Sequence, residues 1–125
     1  MSGKPTSFAA LDVLVVEDEA IISFLVEDML RELGVRDVWL ASSVETALAK
    51  LAEKLPGAAI LDVNLGGTPA YPVAEKLKTA GIPFVFASGY GQAGIEPMWT
   101  ATPVIQKPFD MDGLAAGLMR VLGRQ

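Results

Sequence analysis

Apolar residues along this chain fall into five short runs, separated by stretches whose apolar positions recur at helical spacing. The first run, residues 11–16, is apolar apart from Asp12 and stops at Glu17-Asp18-Glu19, which predicts a buried strand with a helix following from about Ala20. That helix carries Ile22, Val26, Met29 and Leu33 on one face, and Gly34 supplies its stop. Residues 35–41 predict a second strand. Ser42-Ser43-Val44-Glu45 then has capping-box spacing, Ser42 to Glu45, and opens a helix with Leu48, Leu51 and Leu55 facing inward until Pro56-Gly57 ends it. The third run lies in the stretch 58–67, bounded by Pro56-Gly57 and Gly66-Gly67, and reads as a strand buried on both faces with Asp62 where it emerges. Residues 66–69 read as a loop, and Pro72 fits the first turn of a helix to Thr79 with Val73 and Leu77 buried, closed by Gly81. Residues 83–87 are the fourth strand, followed by Ser88-Gly89-Tyr90-Gly91. From there to Thr102, Gly91, Gly94 and Pro97 interrupt any helical period, so a short or mobile helix is expected. Residues 103–106 are the fifth strand, and Asp110 caps a last helix carrying Leu114, Leu118 and Val121.

Strands alternating with helices predict an α/β fold, a doubly wound five-stranded parallel sheet with right-handed crossovers covering both faces. At 125 residues the chain is read as a single domain, 1–125, with its core at about 11–123 and no separate output domain. Its charge of -5 and lack of clustered Lys and Arg argue against direct nucleic-acid binding. No apolar run approaches the roughly 18 residues of a membrane span, and the N-terminus lacks a signal-peptide core, so a cytoplasmic protein without membrane insertion is expected. The chain has no cysteine and no histidine. Thiolate and imidazole metal sites, Ser-His triads and disulfides are thereby excluded, and oxygen-ligand chemistry remains.

In open parallel sheets the ligand crevice lies outside the carboxyl ends of the strands. Four of the five predicted strands end there in a distinctive polar residue: Glu17 and Asp18 after the first, Asp62 after the third, Ser88 after the fourth, Lys107 after the fifth. Singly, each has an ordinary explanation as a helix-dipole partner, a turn residue or a solvated lysine. Together they put three carboxylates at one edge, repelling one another by about 4 kcal/mol per pair at about 4 Å and an effective dielectric near 20. A Mg²⁺ ion suits such a site, since it prefers oxygen ligands and keeps room for phosphate oxygens. Lys107 adds a positive charge for one phosphate oxygen and the Ser88 hydroxyl a hydrogen bond for another. Such a site binds a phosphoryl group and presents Asp62 as the nucleophile that accepts it.

On these residues the chain resembles a response-regulator receiver domain of two-component signalling from about Leu11 to Gly123. The acidic pair Glu17-Asp18, the phosphoacceptor Asp62, Ser88 and Lys107-Pro108 match the family's pattern. The resemblance implies the flavodoxin-like strand order 2-1-3-4-5. It also implies Mg²⁺ held by Asp18, Asp62 and the backbone carbonyl of Asn64, with Glu17 binding through water, and a cis Lys107-Pro108 bond. Phe86-Ala87-Ser88-Gly89-Tyr90 further resembles the FAT GUY subgroup of stand-alone receivers, with Ser in place of Thr. The implied function is a phosphoacceptor that takes a phosphoryl group from a sensor histidine kinase or histidine phosphotransfer protein and signals to a downstream protein target. It catalyses its own phosphorylation and dephosphorylation and is not a turnover enzyme on external substrates.

Two positions depart from the pattern. Val104 stands where receivers carry a switch aromatic, so Tyr90 or residues 91–99, with Met98 and Trp99 expected to be exposed, take over the conformational signal. Gly66-Gly67 replaces the usual apolar-Pro pair. A dehalogenase-like phosphatase would need a second acid where Asn64 stands, and a flavodoxin-like cofactor binder would not place Glu17-Asp18-Glu19 at its phosphate loop. A receiver-fold module that interacts without phosphorylation is the remaining alternative.

Overall fold

Side-chain alternation along each strand assigns the core to two layers. In the computed structural model, which describes residues 8–123, Leu14 and Val16 of β1 (Asp12–Val16), Ala59 and Leu61 of β3 (Ala58–Asp62) and Phe84 and Phe86 of β6 (Phe84–Ser88) pack into one cluster, and the intervening Val13, Val15, Ala58, Ile60, Val85 and Ala87 pack into the other. The first cluster is closed by α2 (Val44–Glu53) and α3 (Tyr71–Ala80), the second by α1 (Ala20–Leu33) and α4 (Met111–Leu122). With β2 (Asp37–Ala41) and β7 (Val104–Gln106) at its edges, the parallel sheet runs β2-β1-β3-β6-β7. These are the five predicted strands in the predicted spatial order. Between β3 and α3 the chain inserts a small hairpin, β4 (Asn64–Leu65) against β5 (Thr68–Pro69), where only a loop was expected.

Several local expectations need correction. The box that opens α2 uses Ser43 and Thr46, not Ser42 and Glu45: the Thr46 N–H donates to Ser43 Oγ at 3.1 Å, and the Ser43 N–H donates to Thr46 Oγ1 at 3.1 Å. Leu55 lies beyond the end of α2 and is exposed, because the residue before Pro56 is driven out of the helical region. In α2 the buried positions are Val44, Ala47 and Leu51. Between β6 and β7 there are two 3₁₀ turns, Gly91–Gly94 and Pro97–Trp99, in place of a helix.

Trp99 is buried, not exposed. Its ring stacks on Tyr71 with centroids 6.0 Å apart and meets Phe84 and Phe86 edge-on. The Tyr71 hydroxyl in turn accepts the Glu96 N–H at 2.9 Å. An irregular segment is thus held by one aromatic anchor in a core of α3 and β6 residues. Met98, its neighbour, is exposed as expected.

Candidate functional site

The two-residue period that builds the core also aims the site. Val13 and Val15, Ala58 and Ile60, and Ile105 face the α1/α4 layer, and one further step places Glu17, Asp62 and Lys107 on that side at the carboxyl edge of the sheet. There the Lys107 ammonium donates to Glu17 Oε1 at 3.0 Å and to Asp62 Oδ2 at 3.1 Å. Asp18 joins them, and carboxylate oxygens of Glu17, Asp18 and Asp62 all lie within 4.8 Å of one another. The Glu17 and Asp62 side chains are 4% and 11% exposed, so the edge is largely desolvated, with Asp62 the less covered of the two.

Local backbone geometry fixes these groups. Glu17 Oε2 accepts the Glu19 N–H at 3.1 Å, which holds the carboxylate across the start of α1. Asp62 Oδ1 accepts the Asn64 N–H at 3.3 Å. Lys107 follows β7 directly, its N–H donating to the Ser88 carbonyl at 2.9 Å, and the Lys107-Pro108 bond is cis as expected. Asn64 heads the hairpin, its side-chain Oδ1 accepting the Gly67 N–H at 2.7 Å.

Three carboxylates face one ammonium. Burial is the largest influence on Glu17 and raises its pKa to about 6, with the Asp62 charge adding to the rise and the Lys107 and Glu19 hydrogen bonds opposing it. Burial also opposes the charge on Lys107, but the hydrogen bond to Glu17 and the charge of Asp62 outweigh it and hold the ammonium above its ordinary value. The donor set is all oxygen, one lysine is short of neutralising it, and a buried carboxylate is left with a raised pKa. A hard divalent cation fits that deficit.

Ser88 ends β6 at the same edge, and its hydroxyl oxygen is bonded within its own loop. The residue is buried, and Oγ accepts the Tyr90 N–H at 3.0 Å. Gly94 closes over it, since a Cβ at that position would collide with Ser88 Oγ. Sequence reasoning missed Gly94; the sign available was a glycine six residues after Ser88 in a segment with no helical period. Tyr90 itself is exposed beside the site.

Comparisons with known proteins bear on the family and the fold. The family model for the response regulator receiver domain matches residues 13–118. The solution structure of SdrG from Sphingomonas melonis Fr1 superposes with a TM-score of 0.81 at 43% identity, covering 91% of this chain and 98% of that one. SdrG also has a solved BeF3-activated conformation, with a TM-score of 0.79. The PhyR receiver domain of Erythrobacter litoralis superposes with a TM-score of 0.79 at 26% identity, covering 94% of this chain and 93% of that one. Among curated proteins, the sensory transduction protein LytT of Bacillus subtilis (strain 168) is 27% identical over 117 residues, covering 88% of this chain and 47% of LytT. The chain spans about half the length of the curated relatives it matches.

Proposed function

The chain belongs to the response regulator receiver domain family, and from that premise we propose that Asp62 accepts a phosphoryl group from a phosphohistidine on a sensor kinase or phosphotransfer protein. One observation carries the reading: a single ammonium bridges Glu17 and Asp62 beside Asp18, at the sheet edge where ligands bind. Glu17, Asp18, Asp62 and the Asn64 carbonyl would hold Mg²⁺, with Glu17 acting through water. When bound, the ion supplies positive charge against the carboxylates and the incoming phosphate oxygens. Asn64 and Pro69 face each other as a non-hydrogen-bonded pair, bracketed by the Ala70 N–H to Val63 carbonyl bond, so the hairpin ladder does not use the Asn64 carbonyl.

The transfer itself is simple to balance. A carboxylate oxygen of Asp62 forms the O–P bond as the P–N bond to the donor imidazole breaks. The P–N electron pair returns to the ring, which leaves neutral when its other nitrogen already carries a proton. Lys107, paired to Asp62 beforehand, stays beside the acyl phosphate and offsets charge approaching about -2. Ser88 Oγ accepts the Tyr90 N–H and keeps its own O–H to donate to a phosphoryl oxygen, so a Ser88 drawn toward the phosphoryl group would carry residues 88–94 with it. SdrG, for which a BeF3-activated conformation has been solved, supports a conformational switch in this chain without giving its details.

The donor has a landing surface beside the site. Ile21, Phe24 and Leu25 of α1 are exposed. Next to them a largely apolar groove of about 320 Å³ is lined by Ile22, Leu25, Val26, Met29, Pro108 and Phe109, with Lys107 at its end. A downstream protein target would read the rearranged 88–99 segment, where Tyr90 and Met98 project. Among the described residues no helix is long and apolar enough to cross a membrane. The test is Asp62→Asn: Mg²⁺-dependent labelling by acetyl phosphate should vanish, and retained labelling in that variant refutes the assignment.

A further inference from the structure

The hairpin inserted after β3 lies against the site rather than beside it. Its two turn residues, Gly66 and Gly67, have φ of 60° and 93°, the pair of positive values that a two-residue hairpin with right-handed strand twist requires. Both hairpin ends are fastened: Leu65 is buried in the core, and the Ala70 N–H donates to the Val63 carbonyl at 2.9 Å. The turn therefore holds a fixed place. What differs between the two glycines is what they face. A Cβ on Gly66 would stand 3.3 Å from Asp18 Oδ2, whereas one on Gly67 would meet nothing within 4 Å.

We propose that Gly66 is a positioning residue for the metal site: by lacking a Cβ it leaves the space that the Asp18 carboxylate occupies, and so keeps Asp18 in place beside Asp62. This rests on the reading that Asp18 and Asn64 are Mg²⁺ ligands. A turn that follows β3 thereby sets the place of a ligand that follows β1. Mg²⁺ demands near-ideal octahedral geometry at about 2.1 Å, so a carboxylate pushed aside by a few tenths of an ångström loses affinity.

The two glycines separate this role from turn strain. Gly67, at φ 93°, is further from the left-handed conformation that L residues tolerate than Gly66, at φ 60°. If only the turn mattered, Gly67→Ala should be the more damaging change in every respect. The positioning role predicts the opposite order for the metal alone. Unfolding in EDTA should show Gly67→Ala at least as destabilised as Gly66→Ala. In an amide-shift titration with MgCl2, Gly66→Ala should lose on the order of tenfold in affinity, the loss typical for groups that orient ligands, and Gly67→Ala less than about threefold. Gly66→Asn, which carries the same Cβ but tolerates the left-handed backbone, should follow Gly66→Ala and serves if the alanine variant does not fold. Equal losses in the Gly66 and Gly67 variants, or wild-type affinity in both Gly66 variants, overturn the inference. A wild-type protein whose Asp18 and Asn64 amides ignore Mg²⁺ overturns the underlying reading instead.

Discussion

Glu17→Gln tests the electrostatics of the site without any phosphodonor. In the folded, metal-free protein Glu17 holds its proton up to about pH 6, against an ordinary value of 4.5, chiefly because it is buried. Folded Glu17 therefore binds more protons than unfolded Glu17 between those values, and stability falls as pH rises through that window. Its contribution is fully present below pH 4.5 and lost above about pH 6. At about 1.4 kcal/mol per pH unit, the loss is about 2 kcal/mol. The variant also gives up one carboxylate oxygen, so either the Glu19 N–H or Lys107 loses an acceptor, but that cost does not vary with pH in this range. The readout is thus the slope, not the absolute stability. With a urea m-value of about 2 kcal/mol/M, the wild-type midpoint in EDTA should fall by about 1 M more than the variant's between pH 4.5 and pH 7. Saturating Mg²⁺ should remove the wild-type decline, because the ion favours the ionised carboxylates; the variant, which keeps Asp18, Asp62 and Asn64, should be stabilised by the ion with little change in its pH slope. Parallel pH profiles in EDTA would refute the argument that Glu17 is strained by desolvation.

Three further predictions concern the scaffold. At the opposite edge of the sheet, Arg36 donates to both oxygens of Asp12 at 2.8 Å and holds that carboxyl below its ordinary value. A depressed carboxyl stabilises above its unfolded pKa and loses that stabilisation as pH falls through its folded value, so Asp12→Asn should flatten the acid limb of the urea-midpoint profile below about pH 4. Gly117→Ala should destabilise by about 1–3 kcal/mol in urea unfolding although alanine favours helix, because its Cβ would stand 2.7 Å from Ile105 Cδ1. Trp99→Ala should cost about 3–5 kcal/mol by the same assay, the range for deleting a buried aromatic, which an exposed Trp99 would not.

Most of the sheet was legible because its strands are nearly pure apolar runs that end in charge, and a parallel sheet must gather such ends at one edge. Glu17, Asp62 and Lys107 could be placed together from that rule alone. What escaped was set by contacts the local pattern does not carry. Residues 91–102 have no period, since Gly91, Gly94 and Pro97 break it, and Trp99 is drawn inward by Tyr71, Phe84 and Phe86, which are distant in sequence. Ser88 was correctly put at the edge, but its bond to the Tyr90 N–H depends on a loop conformation that spacing cannot give. Two misplacements had visible signs. Leu55 precedes a proline, which ends a helix, and Ser42-Ser43 offered two adjacent caps of which the second has Thr46 at the right distance. The Gly66-Gly67 pair between Leu65 and Thr68 was likewise a hairpin signal.

Phosphorylation of this chain should form an acyl phosphate on Asp62. Treating the acetyl-phosphate-reacted protein with borohydride reduces an aspartyl phosphate to homoserine, which peptide mass spectrometry locates. The account predicts homoserine at position 62, dependent on Mg²⁺ and absent without phosphodonor. Homoserine at another aspartate, or an unreduced Asp62 in protein that carries phosphoryl label, would contradict it.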